Sequence, residues 1–345
     1  MVHPYQITYF GTYEADYPRN RLFITKLREQ GILVETCHIP LWKGIEHKAG
    51  IVKNPLQLLW LSWRMLRSYI LLGWKFCTHH RKTDEIMVGY IGQLDVLFAW
   101  PLARIMRKKL SFNALISLYD TLVSDRAILK PSTLSAKAVW LLDWLAFHAV
   151  DELIIDTQAH KEFLTRAYHL PPEKITVTPV DAEAIFKPLP VQKSQEEAGN
   201  FTVLFYGKFI PLQGIDTILH AMKLLEYEPT IRLRLIGTGQ LYDAMRRLAQ
   251  ELELTSIDWI EWVPYEQLPE CINKADLCLG IFGTSEKAAR VVPNKVWQCL
   301  RCGKHVITRK MSVPENDSLF ANVTYIDPDA HALAKAILAR KNLRS

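Results

Sequence analysis

Two consecutive α/β domains, each built on a parallel sheet, are the fold class this sequence predicts, and three observations predict it. Short apolar, β-branched runs alternate with stretches of helical period along almost the whole chain. A chain of 345 residues with 49% hydrophobic content can fill two ordinary cores. The alternation breaks once, at the proline-containing polar run KPLPVQKSQEEAGN, and then resumes. These observations place a first domain over 1–187, a linker over 188–200 and a second domain over 201–345.

In the first domain the strand candidates are QITYF, LVETCHI, EIMVGY, FNALISL and ELIID, rich in the residue types that suit a pleated, buried surface. Helical patterns run from Arg19 to Gln30, Val96 to Lys108 and Thr133 to Phe147, where apolar residues return every three or four positions. The second domain repeats the scheme. FTVLFYG, IRLRLIG, IDWIEWV, LCLGIF and HVIT read as strands, with helices Gly214 to Leu225, Leu241 to Leu252, Tyr265 to Lys274 and Asn294 to Cys302 between them. Two Rossmann-like domains joined end to end account for this order, and in such sheets ligands collect beyond the carboxyl ends of the strands.

Lysine and arginine number 42 against 36 acidic residues, a formal charge of +6 that favours an anionic partner. On charge alone, phosphate, lipid and nucleic acid all fit. The start MVHPYQITYFG alternates like a strand and lacks the pattern of a signal peptide, and six scattered cysteines suit a reducing compartment, so a cytoplasmic protein is expected. Cys299 and Cys302 make the one CxxC pair, inside a predicted helix with no second pair nearby, which reads as packing rather than a metal site.

The stretch Asn54 to Lys82 holds three tryptophans, several basic residues and no acid. Arg64 and Arg67 would sit mid-bilayer in a spanning helix, each costing about 2.5–3.5 kcal/mol. On a helix, Leu59, Trp63, Leu66, Ile70 and Trp74 share one face, with Arg64, Arg67 and Lys75 on or near another. Two readings fit: an interfacial helix docking on an anionic membrane surface, or an ordinary helix whose Trp/Leu face packs on the first domain's sheet.

The loops after strands carry the candidate chemistry. FYGKFIPLQG puts Gly207 and Lys208 at a strand end, and LIGTGQL puts Gly237 and Gly239 at the next, although a lone G-x-G is often only a tight turn. GTSEKAARVVPNKV adds Arg290, Asn294 and Lys295 around a helix start with Pro293 in its first turn. Orphan amides and positive charge together suit a nucleotide diphosphate. In the first domain Gly11 follows the first strand and Arg19 opens a helix, as a phosphate or acceptor contact or a solvated charge. GYIGQLD gives Gln93 and Asp95, and SLYDTLVSDR gives Tyr119, Asp120 and Arg126. Helix capping is an alternative for both Asp95 and Asp120.

The ordered segments FYGKFIPLQGIDTILHAMKLL, IRLRLIGTGQLYDAMRRLAQEL, WVPYEQLPECINKADLCLGIFG and VVPNKVWQCLRCGKHVIT resemble the family 4 glycosyltransferases of the GT-B fold. VDELIIDTQAHKEFLTRAYHLPPEKITVTPVDAEAIFKP is similar to that family's crossover between domains, and GYIGQLD and SLYDTLVSDR to its acceptor-side loops. The resemblance implies two Rossmann-like domains facing each other across a cleft. It also implies a retaining, metal-independent transfer of a sugar from a nucleoside-diphosphate sugar, with no resident cofactor and no nucleic-acid partner. Lys208 stands where the family usually has an arginine, and Gln213 where it often has a lysine. Gln298 and Arg290 stand in the places of its two glutamates. Trp262 and Val263 match the segment holding the base, with strand-end packing as the alternative for Trp262.

The resemblance makes Asp120, Lys208 and Lys295 the expected catalytic set. Donor contacts are expected from Gly207, Gln213, Gly237, Gly239, Trp262, Val263, Arg290, Asn294 and Gln298, and acceptor-side contacts from Gly11, Arg19, Gln93, Asp95, Tyr119 and Arg126. The acceptor is expected to be lipid-linked or a cell-surface glycan precursor, reached by a peripheral protein at the inner face of the cell membrane. A catalytically weak nucleotide-sugar binding protein and a nucleotide-sugar epimerase are the competing readings. A dinucleotide oxidoreductase is disfavoured, since FGTYEADYPRN lacks G-x-G-x-x-G.

Overall fold

The computed structural model describes residues 4–41, 55–194, 199–313 and 317–343, with the backbone alone at 55–58. The chain divides into two compact units. The first comprises Met1–Tyr119, Leu129–Asp156 and His160–Val180; the second comprises Asp120–Ile128, Thr157–Ala159 and Asp181–Ser345. The division therefore falls at Asp181, earlier than the 187 read from composition, and two short segments embedded in the first half of the sequence pack with the second unit.

The first unit is a six-stranded sheet of β1 (Gln6–Gly11), β2 (Leu33–His38), β3 (Glu85–Val88), β4 (Lys109–Asn113), β5 (Glu152–Ile155) and β6 (Ile175–Val177), in the order β2-β1-β3-β4-β5-β6. Every pairing is parallel, so each connection is a crossover: α1 (Pro18–Glu29), α2 (Pro55–His79), α3 (Gln93–Met106), α4 (Leu134–Ala149) and α5 (Gln158–Tyr168). β1 and β3 are buried at every position, as expected of strands covered on both faces. Phe10, Leu72, Phe76, Phe112 and Phe147 build the core on one face, while Ile7, Tyr9, Phe23 and Met87 build a smaller one with α1.

The second unit repeats this with β7 (Phe201–Tyr206), β8 (Ile231–Ile236), β9 (Ile257–Ile260), β10 (Leu277–Leu279), β11 (Val306–Arg309) and β12 (Val323–Ile326), ordered β12-β11-β10-β7-β8-β9 and again parallel. Its helices are α6 (Ile215–Leu224), α7 (Tyr242–Glu251), α8 (Leu268–Lys274), α9 (Glu286–Arg290), α10 (Asn294–Arg301) and α11 (Ala330–Asn342). The order reverses beside β7, which puts the ends of β7 and β10 at the position where doubly wound sheets bind ligands. The polar run at 187–194 lies against this unit: Lys193 pairs with Asp276 at 2.6 Å, and the Leu189 amide donates to Asn273 Oδ1 at 3.0 Å.

Three sequence expectations shift. FNALISL is a strand only at its start, because β4 begins at Lys109 and the chain turns at Leu115, whose φ is 61°. The helix expected from Tyr265 begins as a 3₁₀ turn and becomes α-helical at Leu268. β6, β12, α5, α9 and α11 join the expected elements, the two strands being too short for a period to register.

Candidate functional site

β7 ends in Tyr206 and Gly207, and the conformation there is glycine's: φ is +142°, and a Cβ would come within 3.1 Å of Lys295 Nζ. The missing side chain leaves room beside that ammonium. Lys295, in the first turn of α10, is buried; its Nζ donates to Gln213 Oε1 at 2.6 Å and lies 3.6 Å from the centroid of the Phe205 ring. Among the described residues no carboxylate forms an ion pair with it, and burial lowers its pKa well below the ordinary lysine value. A desolvated cation balanced only by an amide oxygen and ring faces is poised for an anion, and the start of α10 adds a partial positive charge nearby. Asn294, the first residue of α10, is half-buried.

The close packing of two loops requires Gly237 and Gly239. A Cβ on Gly237 would lie 2.0 Å from the Gly207 carbonyl oxygen, and one on Gly239 would lie 2.8 Å from the Phe209 amide nitrogen. Both glycines let the loop after β8 pack directly on the loop after β7. The Phe209 amide donates to the Thr238 carbonyl at 2.9 Å, and the Leu241 amide to the Phe209 carbonyl at 2.9 Å.

Gln298, one turn after Lys295, is buried with both ends of its amide engaged. Oε1 accepts from the Tyr206 hydroxyl at 2.8 Å, and Nε2 donates to the Tyr265 hydroxyl at 2.9 Å, which in turn donates to Glu183 at 2.6 Å. Tyr206, Tyr265 and Glu183 were not singled out by the sequence, since nothing local marks a chain of bonds between residues so far apart. Lys208 is exposed; desolvation by the surrounding protein and then the Arg126 charge lower its pKa. Trp262 is 75% exposed, which removes strand-end packing as its explanation, and Val263 beside it is half-buried.

A second cluster joins the π-helical turn Asp120–Asp125 to α9. Arg290 donates twice through one Nη to Asp120, 3.0 Å to each carboxylate oxygen, and reaches Glu286 at 3.4 Å. Lys287, buried, donates to Thr121 Oγ1 at 2.7 Å with Asp125 at 4.0 Å. Desolvation lowers the Lys287 pKa, against the pull of Asp125 and Asp120, and desolvation raises that of Asp125. Ser285 caps α9 by accepting from the Ala288 amide. The sequence put Arg290 at a donor phosphate and Asp120 at the reacting sugar, whereas the structure brings them onto each other. Lys287 was missed, although its spacing of three from Arg290 puts both cations on one helix face. Arg126 is half-buried, and its carbonyl accepts from Gln240 at 3.3 Å.

In the first unit the acceptor-side candidates are mostly interior. Asp95, 1% exposed, accepts from the Thr12 amide at 2.7 Å, the Thr12 hydroxyl at 3.0 Å and the Tyr69 hydroxyl at 2.9 Å; desolvation pushes its pKa up to about 6. Gly11 has no side chain because a Cβ would sit 2.4 Å from that carboxylate. Arg19 is buried, donating to Asn113 Oδ1 and the Thr178 carbonyl at 2.7 Å each, so it is not the solvated charge the sequence allowed. Gln93 donates to Asp143 at 3.0 Å, and the Tyr119 amide donates to the same carboxylate at 2.8 Å.

Fold and site together define a two-unit, doubly wound α/β protein with a buried lysine beside the end of β7 in its second sheet. Residues 188–339 match the family described as Glycosyl transferases group 1. A D-inositol 3-phosphate glycosyltransferase from Thermobispora bispora is 29% identical over 143 residues, 37% of this chain and 33% of that protein, so the match spans a third of the relative's length. A sucrose-phosphate synthase from Thermosynechococcus elongatus superposes with a TM-score of 0.68 at 16% identity, over 98% of this chain and 90% of that one. HepE of Anabaena in complex with UDP-glucose superposes at 0.61 and 16% identity, over 99% and 90%. The chain has the GT-B fold.

Proposed function

We propose that the protein is a glycosyltransferase that moves a sugar from a nucleoside-diphosphate sugar to an acceptor, retaining the anomeric configuration. Lys295 carries this reading: a buried ammonium with no carboxylate partner among the described residues, beside the side-chain-free edge of Gly207. As the bond from the anomeric carbon to the diphosphate breaks, negative charge grows on the leaving oxygen. A fixed cation in a low-dielectric pocket stabilises that charge more than it stabilises the ground state. Lys208 adds a second, exposed cation at the same loop, and Trp262 with Val263 supplies a wall for the base. Lysines and helix-start amides do the charge neutralisation that a divalent ion does elsewhere, so metal independence is part of the proposal. UDP and UDP-glucose occupy HepE of Anabaena, which makes a uridine nucleotide the first donor to try.

Asp120 is proposed as the carboxylate on the reacting side of the sugar, with Arg290 fixing its orientation. The acceptor is lipid-linked or a cell-surface glycan precursor, and the protein is cytoplasmic. The test is incubation with UDP-sugars and GDP-sugars in the presence and absence of a chelator, with the anomeric configuration of the product read by NMR. Transfer with retention, unaffected by chelation, supports the whole reading. Donor binding without hydrolysis or transfer to any acceptor leaves a nucleotide-sugar binding protein, and interconversion of the donor sugar makes it an epimerase.

A further inference from the structure

The helix α2 turns its tryptophans outward. Leu59, Trp63, Leu66, Ile70 and Trp74 are 68%, 66%, 55%, 63% and 63% exposed, while Leu72 and Phe76 fill the core beneath. At 3.6 residues per turn the five lie within about 80° of arc. Packing of this face on the sheet, one of the two readings of the sequence, is therefore excluded, and so large an apolar stripe in water calls for a partner. Residue 54, the first of the stretch read from the sequence, lies outside the described residues.

The stripe is one edge of a wider surface. α3 packs beside α2 through Phe98, which lies against Gly73 with its ring 5.0 Å from that of Tyr69, and it is also in contact with α4. α3 exposes Ile105, and α4 exposes Trp140, Leu141 and Leu145. Charge on these helices has one sign. α2 contains no acid, and the acids of α3 and α4, Asp95 and Asp143, are both buried. Arg67 stands exposed at the edge of the α2 stripe and Lys137 is exposed on α4, four residues before Leu141; Arg64 lies over the Trp60 ring at 5.1 Å. No helix among the described residues is long and apolar enough to cross a membrane.

We infer that the outer face of α2, α3 and α4 docks on the surface of an anionic lipid bilayer. Tryptophan belongs at headgroup depth, where its ring is half in hydrocarbon and its N–H meets water, and exposed residues such as Arg67 and Lys137 meet lipid phosphate. A second copy of this chain is a poor occupant, because apposing the face to itself brings Arg67 and Lys137 against like charges. The inference does not depend on the transferase reading, but together they place the acceptor at the membrane.

Flotation of the full chain with phosphatidylglycerol and with phosphatidylcholine vesicles tests it, with UDP titration as a separate readout of the second unit. The protein should float with phosphatidylglycerol at low salt, less at high salt and weakly with phosphatidylcholine. Arg67→Glu with Lys137→Glu should lower partitioning by at least about 30-fold, from roughly fivefold per basic residue lost. Trp63→Ser with Trp74→Ser should abolish the salt-resistant remainder, and both variants should bind UDP as the wild type does. Wild type remaining in the soluble fraction at low salt overturns the inference, as does equal flotation of the charge-reversed variant. A dimer in solution that buries Trp63 and Trp74 and ignores vesicles also overturns it.

Discussion

Lys295→Met should separate affinity from stability. In the unliganded protein the ammonium has lost its hydration, at several kcal/mol in a buried site. It recovers about 1.5–3 kcal/mol from the charged hydrogen bond to Gln213 at 2.6 Å, and about 2 kcal/mol from the desolvated contact with the Phe205 ring at 3.6 Å. Methionine has nearly the same length, removes cost and compensation together, and leaves Gln213 Oε1 unpaired at about 1–3 kcal/mol. The terms nearly cancel, so unfolding free energy should change by less than about 2 kcal/mol. With a diphosphate bound, the same substitution leaves a buried anion unpaired and should cost about 2–5 kcal/mol, or roughly 30-fold to several thousand-fold in Kd. Urea unfolding and calorimetric titration with UDP measure the two quantities.

The pH dependence has a definite sign. A lysine depressed by burial binds fewer protons folded than unfolded, so its contribution to stability is present above the unfolded pKa near ~10.4 and is lost as pH falls through the folded value. Wild type should gain stability relative to Lys295→Met as pH rises toward that limit. A Kd within twofold of wild type removes Lys295 from the site. A loss of more than about 4 kcal/mol of stability with unchanged affinity makes it a structural residue.

Asp95→Asn gives a second pH test. A carboxyl raised to about 6 contributes stability that is full below its unfolded pKa and lost as pH rises through 6, so wild type should lose about 2.4 kcal/mol relative to the variant between pH 4 and pH 7.5 in urea unfolding; a constant difference refutes it. Gly237→Ala meets the Gly207 carbonyl at 2.0 Å with φ at +135° and should cost about 3 kcal/mol or more, lowering the midpoint of thermal unfolding by several degrees. Arg290→Met should destabilise by about 3–5 kcal/mol, because Asp120, 4% exposed at the side chain, loses its bidentate partner, and Asp120→Leu in the same chain should restore most of the loss. Asp120→Asn should reduce turnover in single-turnover assays while leaving UDP affinity within a few-fold.

The two sheets were legible because a buried parallel strand and a crossover helix each leave a period in the text, as FTVLFYG and LHAMKLL do. The orientation of α2 was not. Both of its faces are apolar, Leu72 and Phe76 on one and Trp63 and Trp74 on the other, so periodicity alone cannot say which turns inward. The loop glycines were found, but the contacts that require Gly237 and Gly239 come from another loop. Arg290 and Asp120 are 170 residues apart, and no local pattern announces their pairing. Gln298 was found by its place in a motif, and only the positions of Tyr206 and Tyr265 reveal that its amide is already engaged.

The pairing redistributes charge in the second unit. Three cations were candidates or neighbours of candidates for an anionic ligand: Lys287, Arg290 and Lys295. The turn Asp120–Asp125 brings carboxylates to the first two, with Asp120 on Arg290 at 3.0 Å and Asp125 near Lys287 at 4.0 Å. An ion pair of two buried partners offers a phosphate little net attraction, since binding would first have to displace a carboxylate at the full cost of leaving it unpaired. Lys295 has no such partner among the described residues, and the position nearest it that the family resemblance would fill with a second cation holds Gln213, whose oxygen orients the ammonium instead of repelling it. A second ammonium there would have pushed the pKa of Lys295 lower still and left both partly neutral in the empty site. Of these three buried or half-buried cations, Lys295 alone is left without a carboxylate among the described residues, while α9 holds the turn that carries Asp120.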